Sequence, residues 1–469
     1  MADRLQINKW LVLVAIGIGT FMTALDTSVV NTILPVVSQS FKSDIASVEW
    51  VVTIYLLVLS GLLLSFGRLG DMRGHKPIYL AGFVIFVLGS VLTGLSPSVS
   101  SMVLFRALQA FGAAMIAANS TAILTKSFPT AQRGQALGLS ATMTYLGLTI
   151  GPSFGGWLAN QFSWRAVFYI NVPVGLTAVI LSILYIPKDT ILESEERFDL
   201  LGAVTFMTGL TALLLGLNQG HAWGWTSLPI LILLIGAVIL LVSFLIIEFR
   251  VPDPMFDVSL LRRPQFSFSI ISAILNYICI YTSIFLMPFY LIQGRGFNSA
   301  QAGLLLTAQP IIMAIIAPLS GTLSDKIGAQ IPAAIGMAIL ATGLFFISRL
   351  GPQSIQSSIL VALAVVGLGT GTFISPNNSA LMGSAPRHQQ GIAAGILATA
   401  RNFGMVLGVG LAGAIFLTIA TQRQGSGTID NITALPSLYA AFKISFLVAS
   451  GVGILGVFTS IIRGPNLPS

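Results

Sequence analysis

Charge is what this sequence is short of. Asp, Glu, Lys and Arg make up 8% of it and hydrophobic residues 55%, where soluble globular chains carry about 25% charge. A water-soluble fold of 469 residues cannot cover its surface with so few charges. The surplus apolar surface needs a second solvent, and lipid is the one available. Cysteine is nearly absent too. Cys279 stands alone, so no intrachain disulfide can form and the redox compartment is not legible. The three histidines, His75, His221 and His388, fall between apolar runs and form no metal-ligand pattern, so no metal is expected. The sequence has no G-x-x-x-x-G-K-[ST], no H-E-x-x-H and no potassium-filter motif, which leaves ATP-driven transport without an engine and makes an intramembrane enzyme or a channel a remote alternative. No cleavable leader is evident: the first apolar run is long, no A-x-A site follows it, and it reads as a retained helix.

What the sequence has in quantity is long apolar runs. A span needs about 20 mostly apolar residues at ~1.5 Å rise each. Such runs occupy 10–34, 48–66, 78–95, 101–125, 134–158, 166–186, 200–217, 228–247, 268–291, 300–323, 332–347, 359–377, 391–420 and 438–462, fourteen in all. The 47 glycines suit this all-α integral membrane class, because small residues let membrane helices approach closely.

The net charge of +8 is not a nucleic-acid footprint, because the basic residues occur singly between the runs. Their distribution sets orientation instead. With the N-terminus in the cytoplasm, fifteen Lys and Arg fall on the cytoplasmic side. Five, Lys42, Arg165, Arg295, Arg349 and Arg423, fall opposite. Both termini are therefore expected inside a cell membrane, bacterial inner or plasma. An acidic stretch at 193–199 and a polar stretch at 248–264 divide the chain into six, two and six helices: 1–192, 193–264 and 265–469. Within the second stretch, 255–263 could lie as a short interfacial helix with Arg262 and Arg263 at the headgroups. An internal repeat supports the division. G-x-L-x-D-x-x-G occurs from Gly67 to Gly74 after the second run and from Gly321 to Gly328 after the tenth.

Asp26 is the one acid deep inside a run. An ionised carboxylate at the bilayer centre costs at least about 2.5–3.5 kcal/mol, so such a residue is a functional candidate by default. It is read as a proton carrier, a hydrogen-bonded structural Asp being the alternative. Thr20, Thr23, Thr27 and Asn31 form a polar stripe with Asp26 at its edge, as a cavity lining would. Arg106 lies near enough in depth for its long side chain to reach Asp26, or it snorkels to the outer interface. Gln109 shares its face. Arg401 sits near mid-depth with no intramembrane acid in its half; it either caps backbone carbonyls or meets an anionic group of a substrate. With Arg106 it argues against a preference for dications. In the ninth run, Asn276, Tyr277, Tyr281 and neighbouring aromatics suit an apolar ligand or simple packing. Gln309 and Asn377 are further substrate-contact candidates. Gly147, Gly151 and Gly155 share one face of the fifth run, Gly156 adjoins it, and Pro152 removes a helical hydrogen bond. Asn431 opens an N-x-[ST] sequon in an outer loop.

Taken together, LDTSVVNTILP at 25–35, the loop from Gly67 to Lys76, Arg106 with Gln109 and Gly112, the glycines and Pro152 of the fifth run, and WRAVFYINVP at 164–173 are similar to the motifs of the major facilitator superfamily, specifically its fourteen-helix drug:proton antiporters. The resemblance covers essentially the whole chain. It implies two six-helix bundles with two inserted helices. It also implies a proton-coupled antiporter, not an enzyme, that exports amphiphilic small molecules (multidrug efflux) by alternating access. Such a protein is driven by the proton gradient without a cofactor and is expected as a monomer among membrane lipids. A dedicated exporter of one lipid-like or anionic metabolite is the alternative. The resemblance assigns Asp26 and Arg106 to proton coupling, and Gly67, Asp71, Arg73, Lys76 and the second-half Asp325 to a conformational latch. It assigns Gly147, Gly151, Pro152, Gly155 and Gly156 to the antiporter helix.

Overall fold

The computed structural model describes all residues except 1–7, 44, 188, 190–197, 253, 255–257, 298, 387–388, 423–434 and 463–469. The acid-rich 193–197, His388 and the Asn431 sequon thus lie outside the described residues, as do Met255, Phe256 and Asp257 of the expected interfacial helix. What is described of that stretch is a single 3-10 turn, Val258–Arg262.

Fourteen long helices account for the described chain, and no strand occurs among the described residues. They are α1 Lys9–Phe41, α2 Ile45–Arg73, α3 His75–Gly94, α4 Val99–Ser127, α5 Arg133–Gln161, α6 Ala166–Tyr185, α7 Leu200–Trp223, α8 Leu228–Glu248, α9 Pro264–Phe289, α10 (Ser299–Leu306 with Ala308–Ile327), α11 Gln330–Ser348, α12 Gln356–Ser384, α13 Gln390–Gln422 and α14 Leu435–Ile462. Thirteen are long and apolar enough to cross a membrane. The other is α5, at 29 residues long enough. Its Gln, Thr, Ser and Gly content dilutes its hydropathy, and that composition serves helix contact.

Local signals explain the ends. Asn8 caps α1 by accepting from the Trp10 amide at 3.0 Å. Ser98 and Ser101 form a reciprocal capping box at the start of α4. The repeat is reproduced in the backbone: its closing glycines, Gly74 and Gly328, both follow a helix with φ of 93° and 85° and extended ψ of 141° and 159°. That region is essentially restricted to glycine, and a side chain there costs about 1–3 kcal/mol. Around Gly328 nothing lies within 4 Å of an added Cβ, so Gly328→Ala isolates the backbone term. Its thermal unfolding midpoint is expected to fall by several degrees; an unaltered midpoint would remove the argument.

The helices gather into two compact units. The first comprises 1–212, 236–260 and 385–399, and the second 213–235, 261–384 and 400–469. In the first, Val12, Ile16, Met22, Tyr55, Tyr79, Phe83 and Phe86 build one core cluster. Leu25, Val29, Ile33, Val51, Trp164 and Phe168 build another around the second half of α1. Large apolar side chains remain exposed on the outside, among them Leu176, Ile180 and Leu184 of α6 and Ile232, Ile235 and Ile239 of α8. Only 17% of α8 is buried, which marks it as a lipid-facing helix.

Candidate functional site

Asp26 is fully buried in the first unit, and every group that meets its carboxylate is a donor. Arg106 Nη1 donates to Oδ2 at 2.7 Å. Gln109 Nε2 and Asn171 Nδ2 donate to Oδ1, each at 2.9 Å. Arg106 also donates to Gln109 Oε1 at 2.8 Å, which fixes the amide orientation of Gln109. The Arg106 guanidinium stacks over the Tyr55 ring, 4.2 Å from its centroid, with Phe168 on another side at 6.0 Å. Asn171 is held in turn by Ser90, whose hydroxyl donates to the Phe168 carbonyl at 2.9 Å. α1, α2, α3, α4 and α6 all converge here. Oδ1 thus takes two donors and Oδ2 one, which leaves one of the carboxylate's four lone-pair positions open on Oδ2. The snorkelling alternative for Arg106 does not hold, since its side chain is 1% exposed.

Sequence reasoning placed Asp26 and Arg106 together but left Asn171, Ser90 and Tyr55 out of the site. The signal for Asn171 was present: a polar residue opens the apolar main stretch of α6.

The threonine stripe of α1 is partly accessible, yet its hydroxyls turn inward to their own helix. Thr23 donates to Gly19 and Thr20 carbonyls, each at 3.1 Å, and Asn31 to Thr27 at 3.3 Å.

The glycine face of α5 packs against the helix that carries Asp26. A Cβ on Gly147 would lie 2.7 Å from the Phe21 carbonyl oxygen, one on Gly151 would collide with Ser28 Oγ, and one on Gly155 with Val29. Ser28 donates to the Gly147 carbonyl at 3.2 Å, a contact that only bare backbone permits. Gly156 points into open space and takes no part. The glycines thus set the position of Asp26 within one unit. Gly151→Val is expected to displace α1 from α5 and cut transport at least tenfold, where Gly156→Ala retains more than half; equal rates in the two variants would sink this assignment.

The motif loop forms a second cluster. Asp71 accepts from the Gly391 and Ile392 amides at the first turn of α13, each at 2.9 Å, where a helix N-terminus favours negative charge. Gly67 is needed for the same approach, because a Cβ there would collide with the Gly391 carbonyl. Buried His75 lies beside Asp71, Nε2 to Oδ1 at 3.3 Å. Its Nδ1 faces Asn119 Oδ1 at 2.7 Å and its Nε2 faces Lys126 Nζ at 2.7 Å. Asn119 spends its own amide hydrogens on the Met115 and Phe66 carbonyls, so its Oδ1 is the atom left facing His75 Nδ1. Lys76 donates to the Ile183 and Ile186 carbonyls and caps the end of α6. Arg73 is exposed. Asp325, in the equivalent loop of the second unit, is half-buried. His75 belongs to the motif loop and is close to Asp71 in the sequence, whereas nothing in the spacing points to Asn119 and Lys126 of α4.

In the second unit, α13 packs closely on α9, Gly404 against Tyr277 and Gly408 against Tyr281, which sets the charge of Arg401 beside both tyrosines. Asn276 is buried and points Nδ2 at Met337 sulfur, 3.4 Å away. Gln309 accepts from Ser283 at 3.3 Å, and Asn377 donates to the Ser269 carbonyl at 3.0 Å. These three side chains tie helices together.

A family model described as Major Facilitator Superfamily matches residues 16–409. The chain belongs to the major facilitator superfamily. It is 33% identical to the riboflavin transporter RibZ of Clostridioides difficile over 454 residues, 97% of each chain. It is 31% identical to the multidrug resistance protein Stp of Mycobacterium tuberculosis over 409 residues, 87% of this chain and 76% of that one. Among solved structures it superimposes on the human organic anion transporter MFSD10 with a TM-score of 0.70, at 15% identity, over 96% of this chain and 99% of the other. That likeness shows the fold alone. The chain is a multi-pass membrane transporter of the superfamily fold, as its motifs implied.

Proposed function

We propose that this transporter is a proton-coupled antiporter of the fourteen-helix drug-exporter type, moving amphiphilic small molecules out of the cell by alternating access. Both termini lie in the cytoplasm, and the proton gradient supplies the drive with no cofactor. The single observation that carries the reading is the buried Asp26 carboxylate with three donors on it. An acid buried in a span without a task is costly to retain. A proton arriving on Asp26 frees the Arg106 guanidinium, which keeps Gln109 as a partner. The charge and hydrogen bonding of the site then change together, as a coupling step needs. Asp71 and its neighbours act as the latch, and the protein works as a monomer.

A second reading, a dedicated exporter of one metabolite, is favoured by the similarity to the riboflavin transporter along nearly the whole chain. One experiment tests both. Purified protein in liposomes is given an imposed pH gradient, and uptake of a panel of fluorescent amphiphiles is followed beside riboflavin. Gradient-driven movement of several unrelated dyes supports the broad exporter, and movement of riboflavin alone the dedicated one. Transport that ignores the pH gradient removes proton coupling from both.

A further inference from the structure

The second unit carries a cation, Arg401, in a span where no acid lies. Of the acids in the sequence, only Asp325 and Asp430 belong to that unit. Asp325 sits three residues before the positive-φ glycine that ends α10, and Asp430 lies outside the described residues. Arg401 is half-buried in the apolar helix α13. In the first unit, the buried carboxylates of Asp26 and Asp71 have charged neighbours of their own, Arg106 beside Asp26 and Lys126 with His75 beside Asp71.

The packing of α13 on α9 fixes what Arg401 faces. A Cβ on Gly404 would lie 2.7 Å from the Ile274 carbonyl oxygen and 2.8 Å from Tyr277 Cβ. One on Gly408 would lie 2.6 Å from the Ile278 carbonyl oxygen and 3.1 Å from Tyr281 Cβ. Thr282 reaches across to the Gly408 carbonyl at 3.4 Å. Arg401 is one turn before Gly404 on the same face, so the close crossing lines it up with the two tyrosines. Its charge acts on both tyrosines there.

The donor count then decides the chemistry. A guanidinium has five N–H donors and no acceptor, and a tyrosine hydroxyl that accepts from it still has its own hydrogen to give. Arg401, Tyr277 and Tyr281 therefore present a surplus of donors and positive charge beside two aromatic rings. A guanidinium fork pairs best with an oxyanion, two N–H groups meeting two oxygens. We infer that Arg401 and the paired tyrosines of α9 form a recognition point for the anionic group of a substrate: a carboxylate, sulfonate or phosphate carried on an aromatic frame. The assignment rests on the exporter reading and narrows its substrate class, because a cationic dye gains nothing at this position.

The test uses the full-length protein and two probes, a carboxylate-bearing xanthene dye and the methyl ester of the same dye. Binding is read by fluorescence anisotropy in detergent, and transport in liposomes under a pH gradient. Wild type is expected to favour the acid. Arg401→Gln should lower the acid-to-ester ratio at least tenfold, Tyr277→Phe about threefold, and Arg401→Lys less than Arg401→Gln. An acid-to-ester ratio that stays at the wild-type value in Arg401→Gln overturns the proposal, as does a loss of folding in Arg401→Gln with no change of ratio in Arg401→Lys and Tyr277→Phe. If neither dye is transported but acid binding still falls tenfold in Arg401→Gln, the exporter reading fails and the anion site stands.

Discussion

Replacing Asp26 by Asn is expected to abolish pH-gradient-driven transport, reducing it at least a hundredfold. The substitution keeps the side-chain shape and one acceptor, so much of the hydrogen bonding from Gln109 and Asn171 survives. Two things do not. The amide cannot take up a proton, and the Arg106 charge, now buried against Tyr55 and Phe168, loses its counterion. Breaking a buried pair from one side typically costs about 3–5 kcal/mol, because an uncompensated charge remains. Lost coupling and lost stability therefore arrive together and have to be separated. The double variant Asp26→Asn, Arg106→Gln removes both charges. It should recover most of the thermal stability and none of the proton coupling, measured as pH-gradient-driven dye uptake and as alkalinisation of the vesicle exterior. Coupled transport in the double variant would show that the proton rides elsewhere.

The pair itself is legible in the sequence. A carboxylate and a guanidinium in separate apolar runs each carry an electrostatic cost that only the other can offset, and depth along the helix can be counted. Asn171 and Ser90 are not legible in the same way. A neutral polar side chain in a membrane helix has many possible partners, and which it finds depends on how α3 and α6 are rotated. The threonine stripe shows a different limit. Thr20, Thr23 and Thr27 suggest a lined cavity, and they are partly accessible, but the spacing does not reveal that each hydroxyl donates to its own helix. That local bond competes with any tertiary one and leaves no trace in the spacing.

The fold is legible for a related reason. Apolar length, glycine content and the spacing of Lys and Arg are each set by the bilayer, which is the same for every helix. The repeated motif marks more than a boundary. Its last glycine is needed at a positive φ in both copies, so Gly74 and Gly328 report a shared backbone path. Helix contacts are less legible. The glycine face of α5 announces a close neighbour but not which one, and that neighbour is α1.

Asp71→Ala should be the second large loss, and it should be seen first in the amides rather than in transport. Asp71 supplies both acceptors for the Gly391 and Ile392 N–H groups, at the helix end where four such donors lack partners within the helix. Hydrogen bonds to a charged group contribute about 1.5–3 kcal/mol each, so the first turn of α13 loses roughly two such bonds. Hydrogen exchange at 390–395 should accelerate by about a hundredfold or more, and transport should fall at least tenfold. Asp71→Asn is the sharper comparison. Its single carbonyl oxygen can satisfy one amide, and its NH2 group has to turn towards the second amide or towards Lys126, neither of which accepts. An intermediate exchange rate in Asn and a high one in Ala assign the effect to the two amides. If instead His75→Gln alone reproduces the full Asp71→Ala acceleration, the His75, Asn119 and Lys126 network holds the turn, and the carboxylate merely sits beside it.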